Sequence, residues 1–465
     1  MSAEDSPAFW PACRLRQHLR DRTLSPVDVA EACLEQITRH NPVLNAVVTL
    51  NDRLLDEARA LAQEPVQGML YGLPVGLKDT TDTRGLRTTF GSVALKNNTP
   101  ARDALVVRHL KAQGALVLGK TNTSTFAAGA VTWNAVFGHT RNPWNTALTP
   151  GGSTGGGAAA LAAGMVALAD GTDLGGSLRI PAAFCGVVGI RPTAGQVPMY
   201  PTPDVWDTLS VAGGMGRTAE DVALFLQTTA LSAPECAVNP PNGRIDYLTA
   251  VHQGPRADLR LAWCPDPSGI GIESDVLNPC LETVRQLNRE GWSVEEPVLD
   301  LSEAREAFAV LRGHHLLAVH YDRHHDTRAL GPHLSGNLRE AERITSLETA
   351  AAVRVRSRLW ERMRTLFRRI DCLITPTTAV APFPVEAPYP DRIDGRTMEK
   401  YYDWLAPTSV FSVTGYPAVS VPCGLDARQM PTGLQLIGCP GEEAGLLALA
   451  QHIQQLRPIG RPPCD

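Results

Sequence analysis

Two glycine-rich segments, separated by an alanine-rich stretch, decide how this chain folds. The first reads TPGGSTGGG at residues 149–157, and the second reads GTDLGGSLR at residues 171–179. Residues 151–195 hold 12 of the 40 glycines, far more than an even share. Glycine allows backbone conformations in which main-chain N–H groups approach another group closely. The two segments are therefore the first place to look for function.

The first segment allows three interpretations on its own. A phosphate-binding loop is disfavoured, because no G-K-[ST] follows, no predicted strand precedes it, and Thr149-Pro150 breaks the entry. A nucleophile elbow matches GGSTG at residues 151–155, but an elbow needs a buried strand before it, and RNPWN at 141–145 is typical of a loop. A tightly packed Gly/Ala helix accounts for residues 158–163 but not for two flanking Gly-Gly-Ser loops.

The lysines suggest a fourth interpretation. The chain has only five lysines against 38 arginines, a bias that codon usage in a GC-rich genome largely explains. Lys78 nevertheless ends an apolar segment, GLPVGLK at residues 72–78. A serine hydroxyl needs a base to become a nucleophile, and lysine serves as one when desolvation favours its neutral form. The pattern alone thus supports a Ser/Lys hydrolytic site.

Taken together, these motifs resemble the amidase signature hydrolases. The resemblance lies in Lys78 at a strand end, the Gly-Gly-Ser-(Ser/Thr)-Gly-Gly loop, the 75-residue step from Lys78 to Ser153 and the 24-residue step to Ser177. It extends through IPAA at 180–183, GIRPT at 189–193, TPT at 375–377, TGYPA at 414–418 and GLQLIG at 433–438. It covers about residues 25–455, and the paired loops with Lys78 make it specific.

The resemblance implies a role for each matching residue. Ser177 would be the acylated nucleophile and Lys78 the base. Ser153, joined to Gly152 by a cis peptide bond, would relay the proton between them. Main-chain N–H groups would form the oxyanion hole at Leu174, Gly175, Gly176 and Ser177. Supporting residues around the triad would be Asp173, Arg179 and Thr154, and the substrate pocket would include Phe126, Gly129 and Trp133. A structural ion pair is an equally good interpretation of Asp173 and Arg179.

The chain departs from the family pattern at several positions. Thr154, Gly157 and Leu174 replace residues that are commonly Ser, Ser and Thr. Ser124-Thr125 stands where many relatives have Asp-Glu, and Trp133 stands where a Glu is common. The changes at Ser124-Thr125 and Trp133 predict a less polar pocket. Residues 198–250 and 302–345 are expected to line the substrate entrance.

The predicted fold class is α/β, with a mixed central sheet covered by helices on both faces in one large domain, 1–465. The signature core would occupy about 60–230 and 370–455, with a helical insertion at about 300–368. The first 50 residues read as helices, one of them starting at Ser25-Pro26. Predicted strands are 73–77, 115–119, 260–263, 292–298, 372–376 and 418–422, and predicted helices are 103–113, 277–289 and 442–455.

Composition excludes several classes of protein. Net charge is −5 without a basic stripe, which argues against nucleic acid as a partner. The longest run of low polarity, residues 158–169, is shorter than the ~20 residues a membrane-spanning helix needs. The start, MSAEDS, shows no signal peptide, and ten scattered cysteines without C-x-x-C fit reduced thiols, so a cytoplasmic protein is expected.

The histidines at 314, 315, 320, 324 and 325 raise the question of a metal site. His320 and His324 are four residues apart, but no H-E-x-x-H occurs, and Arg323 and Arg328 oppose a bound cation. A polar, partly exposed helix is the favoured interpretation. We expect no metal and no organic cofactor.

The predicted function is hydrolysis of the C–N bond of neutral linear amides, with anilides and carbamates included, through a Ser177 acyl-enzyme. One alternative is the glutaminase subunit of a tRNA-dependent amidotransferase, which the family includes. Another is an esterase with Ser153 as an elbow nucleophile. The expected partner is a small-molecule amide substrate. Neither a nucleic acid nor a membrane is expected as a partner. A homodimer is one possible assembly.

Overall fold

The computed structural model describes residues 6–239 and 245–463, and its described part contains 15 strands and 14 α-helices. The strands are β1 Val47–Leu50, β2 Pro74–Lys78, β3 Leu116–Thr121, β4 Trp133–Asn134, β5 Gly138–His139, β6 Leu168–Asp173, β7 Val188–Arg191, β8 Val211–Gly216, β9 Leu261–Trp263, β10 Val294–Glu295, β11 Cys372–Pro376, β12 Arg392–Ile393, β13 Arg396–Thr397, β14 Ala418–Leu425 and β15 Pro431–Ile437. The helices are α1 Ala12–Arg20, α2 Pro26–Leu44, α3 Leu54–Gln63, α4 Leu105–Ala112, α5 Gly155–Ala162, α6 Arg179–Cys185, α7 Ala219–Thr229, α8 Tyr247–Gln253, α9 Ser274–Arg289, α10 Ala304–His320, α11 Thr327–Ala341, α12 Ser346–Leu366, α13 Ala406–Thr414 and α14 Glu443–Leu456.

Eleven strands form one mixed sheet in the order β1-β3-β2-β6-β8-β7-β14-β15-β11-β9-β10. Strand β2 is parallel to both of its neighbours, β3 and β6. The middle of the sheet, from β6 through β15, is antiparallel. The predicted mixed α/β sheet is confirmed.

Apolar residues cover both faces of this sheet. In β3, Val117 joins one apolar cluster, whereas Leu116 and Leu118 join a second. In β11, Ile374 belongs to the first cluster and Leu373 to a third. Because successive side chains of a strand point to opposite faces, this division places packed helices on both sides of the sheet.

Local sequence explains where helix α2 begins. Ser25 caps α2 through a capping box: its hydroxyl accepts from the Asp28 N–H, and the Asp28 side chain accepts from the Ser25 N–H. The predicted strands near residues 75, 117, 374 and 420 all occur, with small shifts at their ends. The helices predicted at 103–113 and 442–455 also occur, as α4 and α14.

Other predictions need correction. Val47–Leu50, inside a region predicted as helical, is the edge strand β1, because Asn45 in a left-handed conformation ends α2 before the β-branched pair Val47-Val48. The strand predicted at 292–298 shortens to Val294–Glu295. Strands β6 and β8, which lie at the centre of the sheet, were not predicted.

The segment predicted as a helical insertion contains α10, α11 and α12. Among the described residues, no helix is long and apolar enough to span a membrane. No disulfide bond joins any two of the nine described cysteines. The predictions that concern Met1–Asp5 and Cys464 lie outside the described residues.

Candidate active site

Lys78 lies at the end of β2, and its side chain is fully buried. Its Nζ donates to Ser153 Oγ at 2.7 Å and to Thr172 Oγ1 at 3.2 Å. Burial lowers the pKa of Lys78 to about 7, although attraction to Asp170 and Asp173 favours the protonated form. A substantial fraction of this amine is therefore neutral near neutral pH.

Asp170, on β6, holds the end of β2 in place. Its Oδ1 accepts the main-chain N–H of Lys78 at 2.5 Å, and its Oδ2 accepts the Thr81 hydroxyl at 2.7 Å. Burial raises the pKa of Asp170, which these hydrogen bonds and the nearby lysines oppose. The sequence reasoning missed Asp170, although an acid directly after the low-polarity run 158–169 was a usable signal.

Asp170 also attracts a second fully buried lysine, Lys120. Lys120 Nζ donates to the Thr81 carbonyl and, at 3.0 Å, to Thr83 Oγ1. Burial lowers the pKa of Lys120 to about 8, against attraction to Asp79 and Asp170. Two of the five lysines of the chain thus lie in one hydrogen-bonded network beneath the site.

The first glycine loop is held close to neighbouring main chain. The Gly152–Ser153 peptide bond is cis, and Ser153 is fully buried. A Cβ on Gly152 would lie 2.7 Å from the carbonyl carbon of Val131, so only glycine fits there. Thr132 Oγ1 donates to the Gly151 carbonyl at 2.8 Å and accepts the Gly155 N–H at 2.9 Å. These contacts position Ser153 against Lys78.

The second glycine loop connects β6 to α6 and carries Ser177. Thr154 N–H donates to the Ser177 carbonyl at 3.2 Å, so the two loops are hydrogen-bonded to each other. Gly176 has φ +125°, and a Cβ there would lie 2.3 Å from Thr408 Oγ1. The Thr408 hydroxyl in turn donates to the Gly175 carbonyl at 2.6 Å.

Asp173 and Arg179 form a fully buried, two-pronged ion pair with distances of 2.8 and 3.0 Å. Burial would raise the pKa of Asp173, but the charge and hydrogen bonds of Arg179, helped by Arg191, outweigh it and hold that pKa well below its usual range. Arg179 also donates to Gln435 Oε1 at 2.7 Å and to Ser412 Oγ at 2.9 Å. The pair therefore ties the Ser177 loop to α13 and β15.

The same carboxylate engages one of the N–H groups expected in the oxyanion hole. Gly176 N–H donates to Asp173 Oδ1 at 3.0 Å, and Leu178 N–H donates to Asp173 Oδ2 at 3.2 Å. The hydrogen of Gly176 therefore points toward Asp173. Of the four N–H groups expected in the oxyanion hole, that of Gly176 therefore stabilises the loop rather than facing the cavity.

A cavity of about 710 Å³ opens above the second loop. Ser177, Leu174, Gly175 and Gly152 line it, whereas Lys78 and Ser153 lie beneath this lining. Its volume lies within the range of small-molecule sites. Residues 198–203 and part of α10 also line it, as expected for the segments predicted to flank the entrance.

The three expected pocket residues do not all reach this cavity. Phe126 and Gly129 line it, whereas Trp133 lies on the hairpin β4–β5, 41% exposed, with its ring against His139. Ser124 and Thr125 also lie outside the lining: their hydroxyls donate to the carbonyls of Gly129 and Gly91. Ser124 and Thr125 therefore hold loops together, Trp133 lies at the surface, and none of the three lines the cavity.

The histidine-rich helix is more buried than predicted. His320 is 4% exposed at the end of α10, with its ring against Phe126, and burial, with repulsion from Arg323, lowers its pKa to about 4. His324, His325 and Glu342 bring possible ligand atoms within 4.8 Å of one another. Two of these three side chains are exposed, and nothing else at that place indicates a metal.

The chain is similar to known proteins over nearly its whole length. The family model "Amidase" matches residues 28–447. An acylamidase of Rhodococcus erythropolis is 32% identical over 99% of this chain and 98% of its own length. The A subunit of the glutamyl-tRNA(Gln) amidotransferase of Thermus thermophilus is 36% identical over 96% of each chain. The crystal structure of a bacterial aryl acylamidase, described as an amidase signature enzyme, superposes with a TM-score of 0.88 at 26% identity over 96% of both chains.

Proposed function

Since the chain belongs to the amidase signature family and is an amide C–N hydrolase, we propose that it forms its acyl-enzyme on Ser177. One observation carries the proposal: Lys78 Nζ lies 2.7 Å from Ser153 Oγ, buried beneath the loop that presents Ser177 to the cavity. The contact between Lys78 and Ser153, together with the hydrogen bond that joins the Ser153 and Ser177 loops, supports this assignment. The family relationship supports the same assignment.

In the first step, Ser177 Oγ attacks the carbonyl carbon of the amide. The Ser177 proton passes to Ser153 Oγ, whose own proton passes to the neutral amine of Lys78. The developing negative charge on the carbonyl oxygen is stabilised by main-chain N–H groups. Because Gly176 donates to Asp173, we assign the oxyanion donors to Leu174, Gly175 and Ser177.

In the second step, the C–N bond breaks and the leaving nitrogen takes a proton from Ser153, which is replenished from Lys78. Water then attacks the Ser177 ester and passes its proton through Ser153 to Lys78, and Lys78 returns a proton through Ser153 to the departing Ser177 oxygen. The carboxylic acid product leaves and loses its proton to the solvent, and Ser177 has regained its hydrogen. Asp173, Arg179 and Thr154 act by holding the two loops, not by touching the reacting atoms.

The scissile group that we propose is an uncharged linear amide, anilide or carbamate, because all three present the same acyl carbon to Ser177. The acylamidase and aryl acylamidase relatives support the first two. We also propose a homodimer and a single domain that includes α10–α12. Light scattering and limited proteolysis, respectively, test these two assignments.

The test is a panel of aliphatic amides, anilides and carbamates assayed with the wild type and with Ser177→Ala. We expect Ser177→Ala to lose hydrolysis and Ser153→Ala to be strongly impaired, whereas the exposed Ser232→Ala keeps full activity. Hydroxylamine should intercept the acyl-enzyme and yield hydroxamate with wild type alone. Undiminished turnover by Ser177→Ala would remove Ser177 as the nucleophile.

A glutaminase component of a tRNA-dependent amidotransferase remains the second candidate, and the 36% identity to the Thermus thermophilus amidotransferase chain favours it. Ammonia release from glutamine by the isolated chain, or on addition of the partner subunits, would support this candidate. The esterase alternative loses its structural basis, since Ser153 follows a loop and not a strand, and its hydroxyl is buried against Lys78.

A further inference from the structure

Helix α10 and the turn after it present a basic wall to the cavity. The residues of this wall follow one another at helical steps of one, three or four, and they are Phe308, Arg312, His315, Leu316, Val319, His320 and Arg323. They include two arginines, two histidines and no acidic residue. The wall belongs to the segment 302–345, which the sequence predicted to line the substrate entrance.

Arg312 is the buried cation of this wall, at 6% exposure. Its guanidinium donates to Asn337 Oδ1 at 3.2 Å and to the Tyr401 hydroxyl, and it lies 5.0 and 5.5 Å from the ring centres of Tyr401 and Tyr402. All of these partners are uncharged. Burial lowers the pKa of Arg312 to about 10, so the group remains a cation at neutral pH.

Within the described part of the chain, no carboxylate lies at ion-pair distance from Arg312 or Arg323. Glu340 attracts Arg312 from farther away but pairs at the surface with Lys400 at 3.7 Å. Arg323 lies at the exposed end of the wall, with its guanidinium over the Phe126 ring.

The acids that line the cavity are directed elsewhere. Asp170 binds Thr81 and the Lys78 main chain. Asp207 lies 2.9 Å from His315 Nδ1, and Asp82 is attracted to Lys120 and Arg102. A buried cation without a counter-ion is costly, and an arriving carboxylate would remove that cost while making charge-assisted hydrogen bonds.

We propose that the cavity binds amides that carry a carboxylate away from the scissile group, and that Arg312 holds this carboxylate. Arg323 draws the anion in at the rim. This inference rests on the proposed function, because it names the substrate class of the same site. It replaces the expectation of a less polar pocket, whose supporting residues lie outside the cavity lining.

The probes are isosteric pairs in which a carboxylate is replaced by a methyl ketone. For the acyl side, the 4-nitroanilides of succinic and glutaric acid as monoamides are compared with the corresponding keto amides. For the amine side, 4-acetamidobenzoate is compared with 4-acetamidoacetophenone. The two arms show which half of the substrate carries the anion.

Binding is measured first, by calorimetry on Ser177→Ala, so that it does not depend on turnover. The carboxylate member of at least one pair should bind about 10- to 100-fold more tightly than its ketone. Arg312→Met, added to Ser177→Ala, should remove that preference by weakening binding of the acid far more than binding of the ketone. Arg312→Lys keeps the charge and should retain part of the preference, and thermal unfolding verifies that both variants fold.

Turnover by the wild type then separates this inference from the proposed function. A preference in binding without hydrolysis of any probe would support the carboxylate site and reject the amidase assignment for these amides. Hydrolysis with equal binding of both members in every pair would leave the amidase assignment intact and overturn the role of Arg312. An equal loss for acid and ketone in Arg312→Met would overturn it as well.

Discussion

The amine of Lys78 donates to the hydroxyl of Ser153 at 2.7 Å, and neither side chain is exposed. An amine buried in this way is a base whose pKa is set mainly by desolvation. Its neighbours Asp170 and Asp173 act in the opposite direction. Burial outweighs this attraction and lowers the pKa of Lys78 to about 7, which suits an amine proposed to accept a proton near neutral pH.

Replacing Lys78 with arginine tests whether the amine acts as a base. Lys78→Arg keeps the positive charge, but a guanidinium does not lose its proton in a protein. We expect kcat to fall by about 10²- to 10⁴-fold, the usual contribution of a general base. The measurement is steady-state anilide hydrolysis, with the exposed Lys96→Arg as the control. Activity close to wild type in Lys78→Arg would reject the mechanism.

The pH dependence follows from the same pKa. Below about pH 7, Lys78 is protonated and cannot accept the Ser153 proton, so kcat/KM should rise about tenfold per pH unit and level off above that value. Rate profiles between about pH 5 and 9 measure the inflection. A flat profile across that range would contradict the assignment.

Asp170 provides a second test of the inflection. Because its charge raises the pKa of Lys78, Asp170→Asn should move the ascending limb to lower pH. A solely structural role of Asp170 would reduce activity at every pH without moving the limb. Comparing the two profiles therefore distinguishes an electrostatic contribution from a loss of packing.

The sequence indicated Lys78, Ser153 and Ser177 and also the neighbouring Asp173, Arg179 and Thr154, but it did not indicate Asp170 or Arg312. Local sequence supports only a Ser/Lys site, because glycine, serine and a lysine at an apolar strand end are visible locally, and the resemblance to a family assigned the individual residues. Asp170 and Arg312 become relevant only when distant segments meet: Asp170 contacts a residue 92 positions away, and Arg312 reaches the cavity from α10. Trp133 failed as a pocket residue because its hairpin turns the ring outward.

The strands of the sheet were likewise predictable only where they are rich in the apolar, β-branched residues that favour strands. Strand β8, VAGGMG, carries three glycines, which weaken strand propensity. Packing explains them: a Cβ on Gly214 would lie 2.5 Å from the Phe225 ring of α7. The close approach of helix and sheet thus decided the residue type, and local propensity did not indicate it.

The ion pair between Asp173 and Arg179 yields a prediction about stability. Asp173→Asn keeps the shape of the side chain but leaves Arg179 and Arg191 buried without their counter-ion, which should cost about 3–5 kcal/mol. Urea unfolding measures the change. The control is Glu35→Gln, which breaks an exposed ion pair with Arg39 and should cost less than about 1 kcal/mol. Equal losses of stability in the two variants would mean that burial does not determine how much an ion pair contributes to the free energy of unfolding.

Substitution of Gly176 tests how backbone strain and steric collision each affect the loop that carries Ser177. In Gly176→Ala the new Cβ meets Thr408 Oγ1 at 2.3 Å, in a conformation with φ +125° that alanine rarely adopts. Displacement of the neighbouring Ser177 should lower kcat by about 10²-fold. Gly138→Ala, at φ +82° with open space around it, reports strain alone and should leave kcat unchanged. Adding Thr408→Ala to Gly176→Ala removes the collision but not the strain, so it should restore only part of the rate. Full activity in Gly176→Ala would show that the position of Ser177 tolerates movement of this loop, which the proposed mechanism does not allow.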